Sequence, residues 1–139
     1  MPIDGDSYRG LTVDASAVLS VLLDGTESGS RIANIMADTR LFTSPMLHIE
    51  VTNVLRRRRN AGHLGLHEAQ QVFSLFKLMT FEIVPFEIIA DRMWDLGANL
   101  SSYDASYVAV AETTSTPLLT GDARISRAPG VACELLVVE

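Results

Sequence analysis

Short apolar runs recur along this chain, and each is followed by a stretch with the length and spacing of a helix. Gly10-Leu11-Thr12-Val13 reads as a buried strand, and Ala15 to Leu23 as a packed helix that stops at Asp24-Gly25. Ser30 to Thr39 can be helical, Leu41-Phe42-Thr43 is strand-like, and Pro45 stands where a proline opens a helix running to about Arg59. Leu66 to Met79 reads as helix, Phe81-Glu82-Ile83-Val84 as strand, and Glu87 to Leu100 and Tyr103 to Thr113 as helices. Leu118-Leu119 and Leu135 to Val138 are the remaining strands. Short apolar strands alternating with helices imply an α/β fold whose mostly parallel sheet is covered on both faces.

At 139 residues the chain has the length of one ordinary domain, without internal repeats or Pro/Gly/Ser linkers. The expected organisation is a single domain over residues 1–139, with residues 1–9 as a loose arm. Cys133, the one cysteine, cannot form an internal disulfide and leaves no cysteine-based zinc site, which fits a reducing cytoplasm. No apolar run approaches the roughly 20 residues that cross a bilayer, and the first residues lack the basic region of a signal peptide. Membrane and export roles are not expected. With 11 basic and 17 acidic residues the formal charge is −6, which disfavours a generic electrostatic nucleic-acid binder.

The acids carry the functional signal. In a parallel sheet ligands gather at the carboxyl ends of the strands. Asp14 follows the first strand, and Asp122 follows Leu118-Leu119-Thr120-Gly121, so both project toward one edge. Each alone is explained by helix capping, and Ser101-Ser102-Tyr103-Asp104 likewise fits a capping box. Glu50 resists such an explanation. It lies three residues after Leu47 and four before Val54, within the apolar stripe of its helix, and a buried carboxylate needs a partner. The only lysine, Lys77, is distant in sequence, and either an arginine or a cation shared with other carboxylates would satisfy Glu50. Four clustered acids would repel unless a divalent ion neutralised them, and all-oxygen ligation selects Mg²⁺ or Mn²⁺. Such a site activates water and stabilises charge on a phosphoryl group, which points to phosphodiester hydrolysis.

Four segments in this order resemble the PIN-domain ribonucleases, and within them the VapC toxins of bacterial toxin–antitoxin pairs. They are Val13-Asp14-Ala15-Ser16-Ala17, the run from Glu50 to Arg57, the run from Tyr103 to Glu112, and Leu119-Thr120-Gly121-Asp122. The likeness spans Leu11 to Val138. It implies a PIN-like three-layer fold with a five-stranded parallel sheet flanked by helices, and a Mg²⁺-dependent endoribonuclease acting on structured RNA such as tRNA or rRNA. It also implies a homodimer and neutralisation by a VapB-type antitoxin that enters the active-site groove. The family's metal-binding acids fall on Asp14, Glu50, Asp104 and Asp122, with the hydroxyls of Ser16 and Thr120 orienting a carboxylate or a water.

Among the remaining residues, Arg56 to Arg59 form the strongest basic run. Arg57 lies two turns beyond Glu50 on the same helical face, where it could hold an RNA phosphate or an antitoxin carboxylate, with Arg56 beside it. The plainer reading is a solvated helix end whose arginines favour the C-terminal dipole. Arg124, just past Asp122, could approach a phosphate or serve as an ion-pair partner. His48, His63 and His67 form no zinc pattern with Cys133. Trp94, Met93, Val72, Phe73, Leu75 and Phe76 read as core or dimer interface. No phosphate-binding glycine loop occurs.

Two other functions compete with nuclease chemistry. Leu23-Asp24-Gly25-Thr26 is similar to the tail of the haloacid-dehalogenase-like phosphatase motif, but Leu22 stands where the nucleophilic aspartate belongs. A catalytically inactive binding module of the same fold, or a phospho-accepting receiver domain, is the non-enzymatic alternative. The receiver needs a lysine near the acids, which Lys77 does not supply.

Overall fold

The computed structural model describes residues 10–138; the arm expected at residues 1–9 lies outside the described residues. The strands are β1 (Gly10–Val13), β2 (Arg40–Thr43), β3 (Glu82–Ile83), β4 (Leu118–Thr120) and β5 (Leu135–Val137). The helices are α1 (Ala15–Leu23), α2 (Glu27–Met36), α3 (Leu47–Asn60), α4 (Leu66–Leu78), α5 (Phe86–Leu96) and α6 (Ser102–Thr114), and a 3₁₀ turn spans Ala123–Arg127. The strands form one sheet in the order β3-β2-β1-β4-β5, and every neighbouring pair is parallel. The α/β architecture expected from the alternating runs is therefore present, with helices on the sheet faces.

Burial grades across the sheet as strand position requires. All four residues of β1 and all three of β4 are buried, whereas β3 at the edge is exposed. Leu11, Val13, Leu118 and Leu119 are fully buried with Val18 of α1, Leu47 and Val51 of α3, and Val108 of α6. Helix α6 is buried at seven consecutive positions, Ala105 to Ala111. A helix buried all round shows no single apolar stripe, and its alanines and valines let it pack closely against α5 and the sheet.

Several boundaries differ from the sequence expectation for identifiable reasons. Helix α3 opens at Leu47 rather than Pro45, because Ser44 Oγ takes the Met46 N–H at 3.1 Å and Leu47 N bonds back to Ser44 O, making a tight turn around the proline. Helix α2 starts three residues early, at Glu27, since the Asp24 carboxylate takes the Thr26 N–H at 2.8 Å and compresses the connection to one tight turn. Gly29 is what permits this: a Cβ there would stand 2.0 Å from the Asp24 carbonyl oxygen. Asp24 thus ends a helix, and the phosphatase reading of that motif has no strand end to stand on. Trp94 is 87% exposed and Leu75 58% exposed, so neither belongs to the core, while Val72 and Phe76 do. His48 is half-buried between the rings of Phe76 and Phe81, with centroids at 5.3 and 5.6 Å. The strand order places one functional feature directly. The chain moves outward from β1 through β2 to β3 and then returns to β4 on the other side of β1, so the switch point lies between the carboxyl ends of β1 and β4.

Candidate active site

Asp14 leaves β1 at the switch point with extended backbone and caps α1, its Oδ1 accepting the Ala17 N–H at 3.0 Å. The capping explanation is correct as far as it goes, but the side chain does more. Ser16 Oγ donates to the same Oδ1 at 2.6 Å, and Thr120 Oγ1, from the last residue of β4, donates to Oδ2. Asp14 is only 5% exposed, and its partners are two hydroxyls and an amide. Burial pushes its carboxyl above the ordinary range; the three hydrogen bonds oppose that rise without cancelling it, and the charge of Asp104 adds to it.

The hydroxyls of Ser16 and Thr120 also tie the two strand ends together. Gly121 N donates to Ser16 Oγ at 2.8 Å, and Asp122 N donates to Thr120 Oγ1 at 3.0 Å. A Cβ on Gly121 would sit 3.3 Å from Ser16 Oγ, so glycine is what lets this turn approach α1. Asp122 then caps the 3₁₀ turn through the Arg124 N–H at 2.9 Å and grips the Arg124 guanidinium, Nη2 to Oδ2 at 2.7 Å and Nε to Oδ1 at 3.0 Å. That side-chain bond chiefly holds the Asp122 carboxyl below its ordinary value.

Glu50 and Asp104 come from helices on the sheet faces. Glu50 is half-buried rather than fully buried, and its partner is Tyr107, whose hydroxyl donates to Oε1 at 2.8 Å. Tyr107 is 1% exposed and sits one turn beyond Asp104 in α6, so both side chains share one helical face. Burial raises the Glu50 carboxyl, the tyrosine hydrogen bond opposes the rise, and the charges of Asp104 and Asp14 add to it. Burial, then the Glu50 charge, pushes the Tyr107 phenol up in turn. The capping box at Ser101 is half made: its Oγ takes the Asp104 N–H at 3.1 Å, but the Asp104 carboxylate accepts no hydrogen bond from the described residues.

Asp14, Glu50 and Asp104 therefore feel one another's charge, whereas Asp122 joins Asp14 through the Thr120 hydroxyl and is itself occupied by Arg124. Among the described residues no three Asp, Glu, His or Cys side chains are arranged, as they stand, to hold a metal ion. The donor set nonetheless fits a hard cation. Its ligands are all oxygens, and Glu50 Oε2 and both Asp104 oxygens have no protein partner among the described residues.

The arginines are placed differently from the helical-face expectation. Glu50 lines a groove with Met46, Ile49, Thr52, Asn53, Tyr103 and Arg56, not Arg57. The groove follows the 49–53–56 shoulder of α3, and Arg57 is exposed beyond it. Arg56 also borders, with Arg59, a second cleft between α3 and α4. The Tyr107 contact to Glu50 escaped sequence reasoning, although its spacing of three from Asp104 was the available signal.

The fold and this acid edge define a class of protein. A family model described as the PIN domain matches residues 11–131. Ribonuclease VapC9 of Mycobacterium tuberculosis is 32% identical over 128 residues, covering 92% of this chain and 98% of that protein. The chain belongs to the PIN-domain family, in its VapC branch. Among solved structures, VapBC2 of Rickettsia felis bound to a promoter DNA fragment shares the fold at a TM-score of 0.70 and 13% identity, over 93% of this chain and 98% of that one. VapC20 of Mycobacterium tuberculosis, described as a sarcin–ricin-loop-cleaving toxin, does so at a TM-score of 0.62 and 17% identity, over 88% of this chain and 97% of that one.

Proposed function

We propose that this chain is a single-domain, divalent-metal-dependent endoribonuclease toxin that hydrolyses phosphodiester bonds of structured RNA. The observation that carries the reading is the switch point itself, where burial and mutual repulsion raise the carboxyls of Asp14 and Glu50 beside an unbonded Asp104. Uncompensated acids at a strand-end crevice are a standing cost unless a cation belongs there.

Asp14, Glu50, Asp104 and Asp122 would hold Mg²⁺, with Mn²⁺ as substitute. When bound, such an ion supplies Lewis acidity toward the phosphoryl group and the attacking water. The chain's own residues do the positioning. Ser16 and Thr120 fix the Asp14 carboxylate, and Tyr107 orients Glu50 by donating to one oxygen while leaving the other free. Arg56, which lines the groove, meets RNA phosphates, and Arg57 and Arg124 are further candidates for phosphate or antitoxin contacts.

Likeness to a sarcin–ricin-loop-cleaving toxin supports folded RNA, tRNA or rRNA, as substrate, and likeness to VapBC complexes supports a VapB-type antitoxin as partner. A homodimer is supported by the apolar surface of α5, where Phe86, Ile88 and Trp94 are 56%, 59% and 87% exposed. An RNA substrate puts the site of action in the cytoplasm; among the described residues no helix is long and apolar enough to cross a membrane.

The pairing of Asp122 with Arg124 favours one second reading, a PIN-fold binding module without chemistry. Incubating purified protein with total tRNA and rRNA, with Mg²⁺, with Mn²⁺ or with EDTA, separates the two. Defined fragments that vanish with EDTA support the nuclease. Cleavage indifferent to EDTA removes the metal from the account, and RNA left intact under every condition favours the binding module.

A further inference from the structure

Asp122 faces two rival cations, and the chain carries one of them itself. The Arg124 guanidinium lies flat against the carboxylate, Nη2 to Oδ2 at 2.7 Å and Nε to Oδ1 and Oδ2 at 3.0 and 3.2 Å. The side chain is 83% exposed, so little besides this fork holds it in place, whereas Asp122 is 23% exposed. The same guanidinium feels the charge of Asp104. We infer that Arg124 is a built-in counter-cation of the acid edge: it keeps Asp122 out of the ligand shell until a divalent ion displaces it, and thereby sets the affinity for that ion. The inference rests on the metal-dependent reading above.

Two features of the geometry suit displacement. The two oxygens of Asp122 have different duties. Oδ1 caps the 3₁₀ turn by accepting the Arg124 backbone N–H at 2.9 Å, while Oδ2 is held only by the guanidinium. Releasing the side chain therefore frees an oxygen for an ion without undoing the turn. The second feature is exposure. A solvated ion pair is weak, so the fork lowers cation affinity by about three- to fivefold rather than blocking the site. The division of the acids follows: Asp122 is compensated from within by the guanidinium, whereas the Asp104 carboxylate accepts no hydrogen bond from the described residues.

The test is Mn²⁺ binding by the full chain, followed through the free-ion electron paramagnetic resonance signal. Arg124→Ala keeps the backbone N–H that caps the turn, and is expected to bind Mn²⁺ about three- to fivefold more tightly than wild type. Arg124→Lys retains the charge but lacks the planar fork, and is expected to gain more than half of that increase. Arg127→Ala, an exposed arginine of the same turn, is expected to change affinity by less than about twofold. Unchanged or weaker binding by Arg124→Ala overturns the inference. So does wild-type affinity in Arg124→Lys, since bulk charge and not the fork would then be responsible. If Arg124→Ala fails to fold, Arg124→Lys decides alone. Asp14→Asn separates the two levels of the argument. Mn²⁺ binding that is absent from wild type, or indifferent to Asp14→Asn, brings down the metal reading and the counter-cation with it. Binding that needs Asp14 yet ignores both Arg124 variants brings down only the counter-cation.

Discussion

Helix α6 carries a carboxylate near each end, and the fold treats the two in opposite ways. Glu112 near the C-terminus takes Arg92 Nε at 2.6 Å, Arg92 Nη2 at 3.1 Å and the Ala132 N–H at 2.9 Å. Burial alone would raise its carboxyl, but Arg92 and the amide outweigh burial and hold it below the ordinary range. The same arginine donates to Gly130 O, so this charge fastens the segment before β5 to α5 and α6. At the other end Asp104 has no hydrogen-bonded partner among the described residues, and its charge helps raise Asp14 and Glu50. Where a carboxylate serves the fold, the chain brings an arginine to it. At the switch point the chain offers Asp14 and Glu50 only hydroxyls and an amide, and brings no arginine to Asp104.

The sharpest way to break this contrast is Asp14→Asn. Metal-dependent RNA cleavage should fall by about 100-fold or more while the circular dichroism spectrum stays native; cleavage within a few fold of wild type would show that the acid edge does no chemistry. Next in size, Glu50→Gln should weaken Mn²⁺ binding roughly tenfold yet raise the metal-free melting temperature slightly, because one repelling charge is gone. A variant that lost stability instead would place Glu50 with Glu112 among the structural acids.

The opposite region yields the mirror result. Arg92→Ala should cost about 1–2 kcal/mol, because it leaves Glu112 part-buried without its guanidinium, and so lower melting by roughly 3–8 °C. Mn²⁺ affinity should not move, and a change there would mean the two ends of α6 are coupled. The smallest effect is the pH dependence of the metal-free protein. The carboxyls of Asp14 and Glu50 lie above their unfolded values, 3.8 and 4.5, so the folded state keeps protons that the unfolded chain has released. Their contribution is therefore lost as pH rises through the raised values. Glu112, held low, is already fully stabilising above its unfolded value of 4.5. Differential scanning calorimetry of the metal-free protein should show melting about a degree or two lower well above the unfolded carboxylate range than within it, with the slope flattened by excess Mg²⁺. An upward slope would mean that the depressed acids dominate.

The sequence was legible wherever a signal is local. Apolar runs marked the five strands, most plainly β1 and β4, which are buried at the centre of the parallel sheet, and the turn after β1 put Asp14 at a strand end whatever else the fold did. Helix spacing placed Glu50 on the inner side of α3. The same spacing favours Arg57, while the groove beside Glu50 is lined by Arg56, because a helical wheel gives a direction about one axis and not the course of a cleft formed with α6. Of the two places the sequence allows Trp94, core or dimer interface, its exposure removes the core, since hydrophobicity states a preference and only packing decides which surface is covered.

By itself, then, the amino-acid order determined the alternation of strands and helices, the four acids at or near element ends, and the balance of charge around them. It did not determine their partners. Tyr107 reaches Glu50 across 57 residues and Thr120 reaches Asp14 across 106, and the cation beside Asp122 was two residues away all along. Hydrogen bonds act over about 3 Å and carry no memory of sequence distance. Which acid is met by an arginine and which only by hydroxyls was decided when the chain folded and the return from β3 set β4 beside β1.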